Sequence, residues 1–324
     1  MHSNIIVLLS LFLIGAGKAY SIDIIAHRGA SGYLPEHTKE ALILAYMQGA
    51  DYIEQDLVLS KDDELIVLHD IHLAATTNVE AIYPNRKRND GRYYVIDFTL
   101  DELRQLSIHE RQNQSNVLVY PNRYRGTAHF SITTFDEQIE LIQELNRRFN
   151  RDTGWYPEIK SPEWHLSEGK DITKVLIDKL NQHQLNTAST KMFVQSFDPV
   201  SLQRLKNDLG AKIALIQLIA ENAWNTSSAD YTVMQTRAGM QQVSLYADGI
   251  APWLPQLIAL NTTYQLNTDL LKNAKEAGLV IHPYTLREDV LYEAGLSIEK
   301  LYEGLVLAKV DGVFTDHILP FMKN

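Results

Sequence analysis

Short apolar runs alternate along this chain with longer stretches in which apolar positions recur every three or four residues. The runs at 22–26, 52–59, 65–68, 155–159, 192–195, 212–217, 244–247, 279–284 and 312–314 predict strands. The stretches at 36–48, 135–148, 172–182, 199–208, 266–277 and 298–308 predict helices; in the first, Ala41, Leu42, Leu44 and Ala45 interleave with polar residues. Repeated strand-then-helix units imply a parallel sheet with helical crossovers, and hence an α/β chain. At this length a closed TM-type arrangement, the TIM (β/α)8 barrel, is the best solution, although an open doubly wound sheet has the same periodicity. Strand candidates slightly exceed the eight a barrel needs, so 65–68 or 244–247 is surplus.

Two stretches break the alternation. Residues 72–134 are polar, turn-rich and aromatic, and read as one long insertion after an early barrel strand; 220–231 is a smaller irregular segment. Long loops on a barrel commonly serve the active site at its C-terminal face. At the N-terminus, 5–14 is apolar but for Ser10, and Gly17-Lys18-Ala19 places small residues at the two positions a signal peptidase reads. The expected organisation is therefore a signal peptide over 1–19, cleaved after Ala19, and one barrel domain over 20–324. The apolar run is too short to span a bilayer comfortably. An exported protein follows, periplasmic first and secreted as the alternative, with no stable membrane anchor.

Composition narrows the chemistry. With no cysteine, disulfides, thiolate metal sites and cysteine nucleophiles are excluded. A formal net charge of −10 argues against nucleic acid as a partner, because phosphate-backbone binding needs a basic stripe. Arg86-Lys87-Arg88 reads as a solvated loop, with phosphate steering as the lesser alternative. His72, His109, His129, His165 and His183 have no ligand spacing and are assigned no role.

Polar residues at strand ends carry the strongest signal. His27-Arg28-Gly29 ends the first strand, His69-Asp70 follows a later one, and Glu158-Ile159-Lys160 closes another. Glu54 and Asp56 stand two apart on one strand and so project from the same face. Singly, a strand-end histidine is more often structural, and two carboxylates usually mark a solvated edge. Here Ile53, Leu57, Val58 and Leu59 flank the pair. Buried side by side, two carboxylates are costly unless a cation neutralises them, which points to a metal.

The ordered set of motifs resembles the glycerophosphodiester phosphodiesterases. It comprises His27-Arg28-Gly29-Ala30, Pro35-Glu36-His37-Thr38, Ile53-Glu54-Gln55-Asp56-Leu57, Val67-Leu68-His69-Asp70, Tyr156-Pro157-Glu158-Ile159-Lys160, Gln195-Ser196-Phe197-Asp198, Tyr246-Ala247-Asp248-Gly249, His282-Pro283-Tyr284-Thr285 and Asp311-Gly312-Val313-Phe314-Thr315-Asp316. The likeness runs from about residue 22 to the C-terminus and is nearest the exported bacterial branch, which also carries an insertion after its His-Asp pair. Pro-Glu-His-Thr stands where Pro-Glu-Asn-Thr is commoner.

The resemblance implies a TIM barrel with Glu54, Asp56 and Glu158 as metal ligands, His27 and His69 as the acid–base pair, and Arg28 and Lys160 on the substrate phosphate. It implies small-molecule glycerophosphodiesters, such as glycerophosphocholine or glycerophosphoethanolamine, cleaved to sn-glycerol 3-phosphate and an alcohol. Carboxylate ligation suits one hard divalent cation, with Ca2+ placed ahead of Mg2+. Which histidine is base, and whether water or the vicinal glycerol hydroxyl attacks, is open, as is the oligomeric state. The insertion would cap the rim, and Tyr93, Tyr94, Tyr120 and Tyr124 are candidates to pack on a choline or ethanolamine head group. The competing readings are a phospholipase D-like or phosphoinositide phospholipase-like barrel acting on intact lipid, and a non-catalytic exported binding protein.

Overall fold

The computed structural model describes residues 22–260, 264–293 and 295–321; the expected leader lies outside the described residues. Its strands are β1 (Asp23–Ala26), β2 (Tyr52–Leu59), β3 (Leu65–Val67), β4 (Ser107–Ile108), β5 (Phe130–Ser131), β6 (Gly154–Ile159), β7 (Phe193–Ser196), β8 (Ala214–Ile219), β9 (Gly249–Pro252), β10 (Val280–Ile281) and β11 (Gly312–Thr315). The order β10-β9-β8-β7-β6-β2-β1-β11 is parallel throughout. The two ends of that order meet. Asp311 N donates to Ile281 O (2.9 Å), Phe314 N to Pro283 O (3.0 Å) and Leu286 N to Phe314 O (2.8 Å), which closes an eight-stranded barrel.

The surplus strand candidates resolve differently. Residues 65–67 do form a strand, β3, but it pairs antiparallel with the end of β2 and stands off the ring. Residues 244–247 are not a strand. Helix Arg237–Val243 ends there with Ser244 as its C-cap, and Leu245 is exposed; the barrel strand starts at Gly249 instead. A short, mostly apolar stretch just beyond a helix end has the same short-run signature as a strand. The first helix also starts later than its periodicity suggests. It spans Lys39–Met47 because the Thr38 side chain accepts from Ala41 N, leaving Glu36 and His37 in the preceding loop.

Period-two alternation sorts the strand side chains. Ile53, Leu57, Leu59, Trp155 and Ile159 face outward into the main core against the helices. Tyr52, Tyr156, Ile216, Leu218, Ala251 and Phe314 fill the barrel. The inward positions next along β2 and β6, toward their C-terminal ends, are Glu54, Asp56 and Glu158. The strands therefore bury an aromatic floor and put acids above it.

His282 sits in that floor, 1% exposed, with Nδ1 2.8 Å from the Tyr156 hydroxyl. Burial pushes its pKa down to about 3, against an ordinary value near 6.5. As pH falls below that ordinary value, the unfolded chain takes up a proton that the folded barrel refuses. This contribution to stability is therefore complete above about pH 6.5 and is lost progressively below it. Urea midpoints should fall as pH is lowered from about 7 toward 4.5, and less steeply in His282→Gln; an unchanged slope in that variant would place the acid sensitivity elsewhere.

The 72–134 segment has a small core of its own. Leu73, Val79, Tyr93, Val95, Phe98, Leu103, Leu106 and Ile108 pack with Phe130 and Ile132 of the β5 region and with Val58, Ile66 and Leu68 of the β2–β3 arm. Its basic run is spent on ion pairs: Arg86 bonds Glu102 (2.7 Å), Lys87 pairs with Glu80 (3.2 Å), and Arg88 grips Asp97 (2.7 Å) and, beyond the segment, Glu168 (2.8 Å). Among the described residues, no helix is long and apolar enough to cross a membrane.

Candidate active site

At the C-terminal ends of the strands a pocket of about 460 Å3 is lined by His27, Arg28, Glu54, His69, Glu158 and Lys160, with Asp56 buried just beneath. All seven residues singled out in the sequence are thus brought to one place. β1 ends in a sharp turn: Arg28 and Gly29 have φ of 60° and 79°, and a Cβ at Gly29 would lie 2.8 Å from the Ala41 carbonyl carbon. Glycine is required there. The turn aims the Arg28 backbone N–H at Glu54 Oε2, 2.7 Å away.

β2 and β6 pair in register so that Asp56 lies directly beside Glu158. Glu54, Asp56 and Glu158 are 3%, 1% and 6% exposed, so three acids share a space without bulk water. Burial, and after it the neighbouring Asp56, pushes Glu54 well above the usual carboxylate range; burial likewise lifts Glu158 to about 8, against the pull of Lys160. Burial works against ionised Asp56 too, but Lys160, with the hydrogen bond from His37 and the charge of Arg28, holds it well below the ordinary range. Lys160 Nζ reaches Glu158 (2.7 Å) and Asp56 (3.5 Å), and Arg28 Nε reaches Asp56 (3.3 Å). Even so, Asp56 Oδ1 has no hydrogen-bond partner. Raised carboxyl groups beside a buried carboxylate oxygen that makes no hydrogen bond and meets Lys160 only at 3.5 Å fit a site built for more positive charge than the chain supplies.

The compact donor group is not quite the expected one. His37, Glu54 and Asp56 present atoms within 4.8 Å of one another, and all three are buried. His37 was not singled out in the sequence. Its Nε2 lies 2.7 Å from Asp56 Oδ2, a distance at which the ring N–H donates to the carboxylate and orients it.

His27 and His69 are each backed by an aspartate. His27 Nδ1 bonds Asp316 Oδ1 and His69 Nδ1 bonds Asp70 Oδ1, each at 2.6 Å. Because an ionised carboxylate only accepts, Nδ1 carries the proton and Nε2 is left for the pocket. Burial, then Arg28, lowers His27 to about 4 and His69 to about 3, so both rings are neutral at pH 7. For Asp316 and Asp70 burial opposes ionisation, but the cationic groups around them keep both below the usual range.

The opposite wall is aromatic: Phe197, Trp224, Trp253 and Tyr284 line the pocket. Trp224 and Trp253 meet edge to face at 5.0 Å, and the Lys160 ammonium lies 5.8 Å from the Phe197 ring centre. The irregular 220–231 segment thus reaches the site through Trp224. The insertion tyrosines do not. Tyr93 is in the insertion core, Tyr94 stacks on Trp164, Tyr120 lies under Arg123, and Tyr124 packs edge-on to Phe130. His72, given no role from the sequence, does line the pocket.

Comparison with known proteins gives a consistent picture. Residues 27–319 match the model of the Glycerophosphoryl diester phosphodiesterase family. The chain is 39% identical to a glycerophosphodiester phosphodiesterase of Haemophilus influenzae over 315 residues, covering 90% of this chain and 86% of that one. It is 33% identical to one from Treponema pallidum over 326 residues, covering 93% and 91%. In fold it resembles a phosphodiesterase from Oleispira antarctica solved in complex with the product sn-glycerol-3-phosphate, with a TM-score of 0.63 at 23% identity over 92% of this chain and 94% of that one.

Proposed function

Given that this chain belongs to the glycerophosphoryl diester phosphodiesterase family, we propose that its barrel rim hydrolyses glycerophosphocholine- or glycerophosphoethanolamine-type diesters to sn-glycerol 3-phosphate and the free alcohol, with His27 and His69 as the acid–base pair. The observation that carries this reading is the meeting, in one pocket, of two neutral imidazoles with Arg28, Lys160 and a buried carboxylate cluster.

Arg28 offers a planar fork to two phosphate oxygens, and Lys160 a point charge for the negative charge that develops as the P–O bond breaks. With Nδ1 fixed on its aspartate, each imidazole works through Nε2. One takes the proton of the attacking hydroxyl onto its free lone pair. The other must first take up a proton at Nε2, so that both its nitrogens carry one, before it gives that proton to the departing alcohol. Glu54, Asp56 and Glu158 would hold a divalent cation, with His37 steadying Asp56; oxygen donors favour Ca2+ or Mg2+. A bound cation would supply Lewis-acid polarisation of a phosphoryl oxygen. The aromatic wall supports a cationic head group, since the faces of Trp and Tyr attract ammonium ions.

The test is release of glycerol 3-phosphate from glycerophosphocholine by the purified protein with Ca2+ or Mg2+ present. Turnover is expected, and Trp253→Ala should raise KM for the choline diester about 5-fold relative to glycerophosphoglycerol. Faster release from lysolipid vesicles than from glycerophosphocholine would overturn the substrate assignment. Equal KM shifts for the two diesters would remove the head-group role of the aromatic wall.

A further inference from the structure

Neither Asp70 nor Asp316 stands alone behind its histidine. Each has its second oxygen gripped by an arginine from the second half of the 72–134 insertion. Arg111 Nη1 donates to Asp70 Oδ2 at 2.6 Å. Its remaining fork, Nε at 3.0 Å and Nη2 at 2.6 Å, clasps Glu36, and the same Glu36 carboxylate accepts two bonds of 3.1 Å from Arg28. Arg123 Nη2 donates to Asp316 Oδ2 at 2.6 Å, while its Nε holds Asp289 at 2.8 Å and its Nη1 reaches Ser31 O at 3.3 Å. Arg287 Nε is a second donor to Asp316 Oδ2, at 2.8 Å. Neither Arg111 nor Arg123 lines the pocket.

We propose that Arg111 and Arg123 are positioning residues: by pinning Asp70 and Asp316 they hold the His69 and His27 rings in place, so that the insertion completes the acid–base machinery of the barrel. The proposal rests on the reading of His27 and His69 as the acid–base pair. A carboxylate with one oxygen locked by a guanidinium cannot swing, so its other oxygen stays on Nδ1 and the ring keeps both its tautomer and its tilt. Displacement of a reacting group by about 1 Å is enough to cost large factors in rate. The two arginines differ in one respect. Arg123 acts on a histidine alone and shares Asp316 with Arg287. Arg111 also braces Arg28 through Glu36, so it touches phosphate binding as well.

Lysine variants keep the charge but cannot grip two carboxylates in one plane. Arg111→Lys should lower kcat about 10-fold or more and also raise KM. Arg123→Lys should lower kcat by a smaller factor, about 3- to 10-fold, with KM unchanged. A diester with a nitrophenol leaving group needs little protonation of the departing oxygen. One of the two arginine variants should therefore recover on that substrate, and it should be the one whose own histidine variant recovers. Loss of fold alone would not produce that pairing. In the wild-type protein, nitrogen NMR of the imidazoles should show both rings protonated at Nδ1, a reading that needs no variant to fold.

Wild-type kcat in both lysine variants, or rings with no proton on Nδ1, overturns the proposal. If His27→Ala and His69→Ala themselves keep full turnover, the acid–base reading fails instead. The two failures are thus distinguishable.

Discussion

Replacing either His27 or His69 by alanine is expected to lower kcat by about 10²-fold or more while leaving the protein folded, the usual scale for a lost general acid or base. The expectation follows from the scarcity of alternatives. Each aspartate behind a histidine is already committed, Asp316 to Arg123 and Arg287 and Asp70 to Arg111. Asp56 is ionised under Lys160. Lys160 is held protonated by Glu158 and Asp56 in spite of its burial. His72 also lines the pocket, but its Nε2 faces Arg92 at 3.5 Å, whereas His27 and His69 are each set by an aspartate on Nδ1. Steady-state rates on glycerophosphocholine check the magnitude, and a nitrophenyl diester then divides the roles. The variant lacking the general acid should recover much of its rate with the better leaving group, and the variant lacking the base should not. Retention of near-wild-type kcat by either variant would remove that residue from the reaction.

Chelation is expected to have an effect of similar size. Three carboxylates with 1–6% exposure, two of them with raised proton affinity, are a poor arrangement for two cationic side chains alone. Lys160 now spends its charge on Glu158 and Asp56, and Arg28 on Glu36 and Asp56. With the acids neutralised by a cation, both side chains are released to face a phosphodiester. EDTA should therefore abolish turnover, and one of Ca2+ or Mg2+ should restore it. Because an ion that binds only the folded chain stabilises it by mass action, the thermal midpoint should rise with the concentration of that cation. Glu54→Ala should lose most of that rise. A midpoint indifferent to both cations, together with turnover that survives EDTA, would sink the metal reading.

The alternating strands and helices and the residues of the rim were legible because each lies in a local pattern, while closure of the sheet came from chain length and the family resemblance. His27, His69 and Lys160 end apolar strands, and Glu54 and Asp56 keep the two-residue spacing of one strand face. What supports them was not legible. Asp316 meets His27 across 289 positions and Arg123 meets Asp316 across 193; contacts of that separation leave no period in a sequence. Arg111 and Arg123 lie in a stretch whose polar, turn-rich composition conceals a packed core. His37 is in plain view in Pro-Glu-His-Thr, but its contact with Asp56 depends on a loop backbone with φ of 64°, which side-chain spacing does not encode. The aromatic wall was missed for a similar reason. Phe197, Trp224, Trp253 and Tyr284 come from four separate strand-end segments, whereas the insertion's tyrosines are conspicuous as a group and are used elsewhere.

The small core that joins the insertion to the β2–β3 arm has a consequence for when the site is assembled. Val58, Ile66 and Leu68 belong both to the barrel arm and to the packing of Leu73, Tyr93 and Phe98. A segment rooted in that way moves only with the barrel arm that carries it. The arginines it extends to Asp70 and Asp316 are therefore seated when the chain folds, not when a substrate arrives.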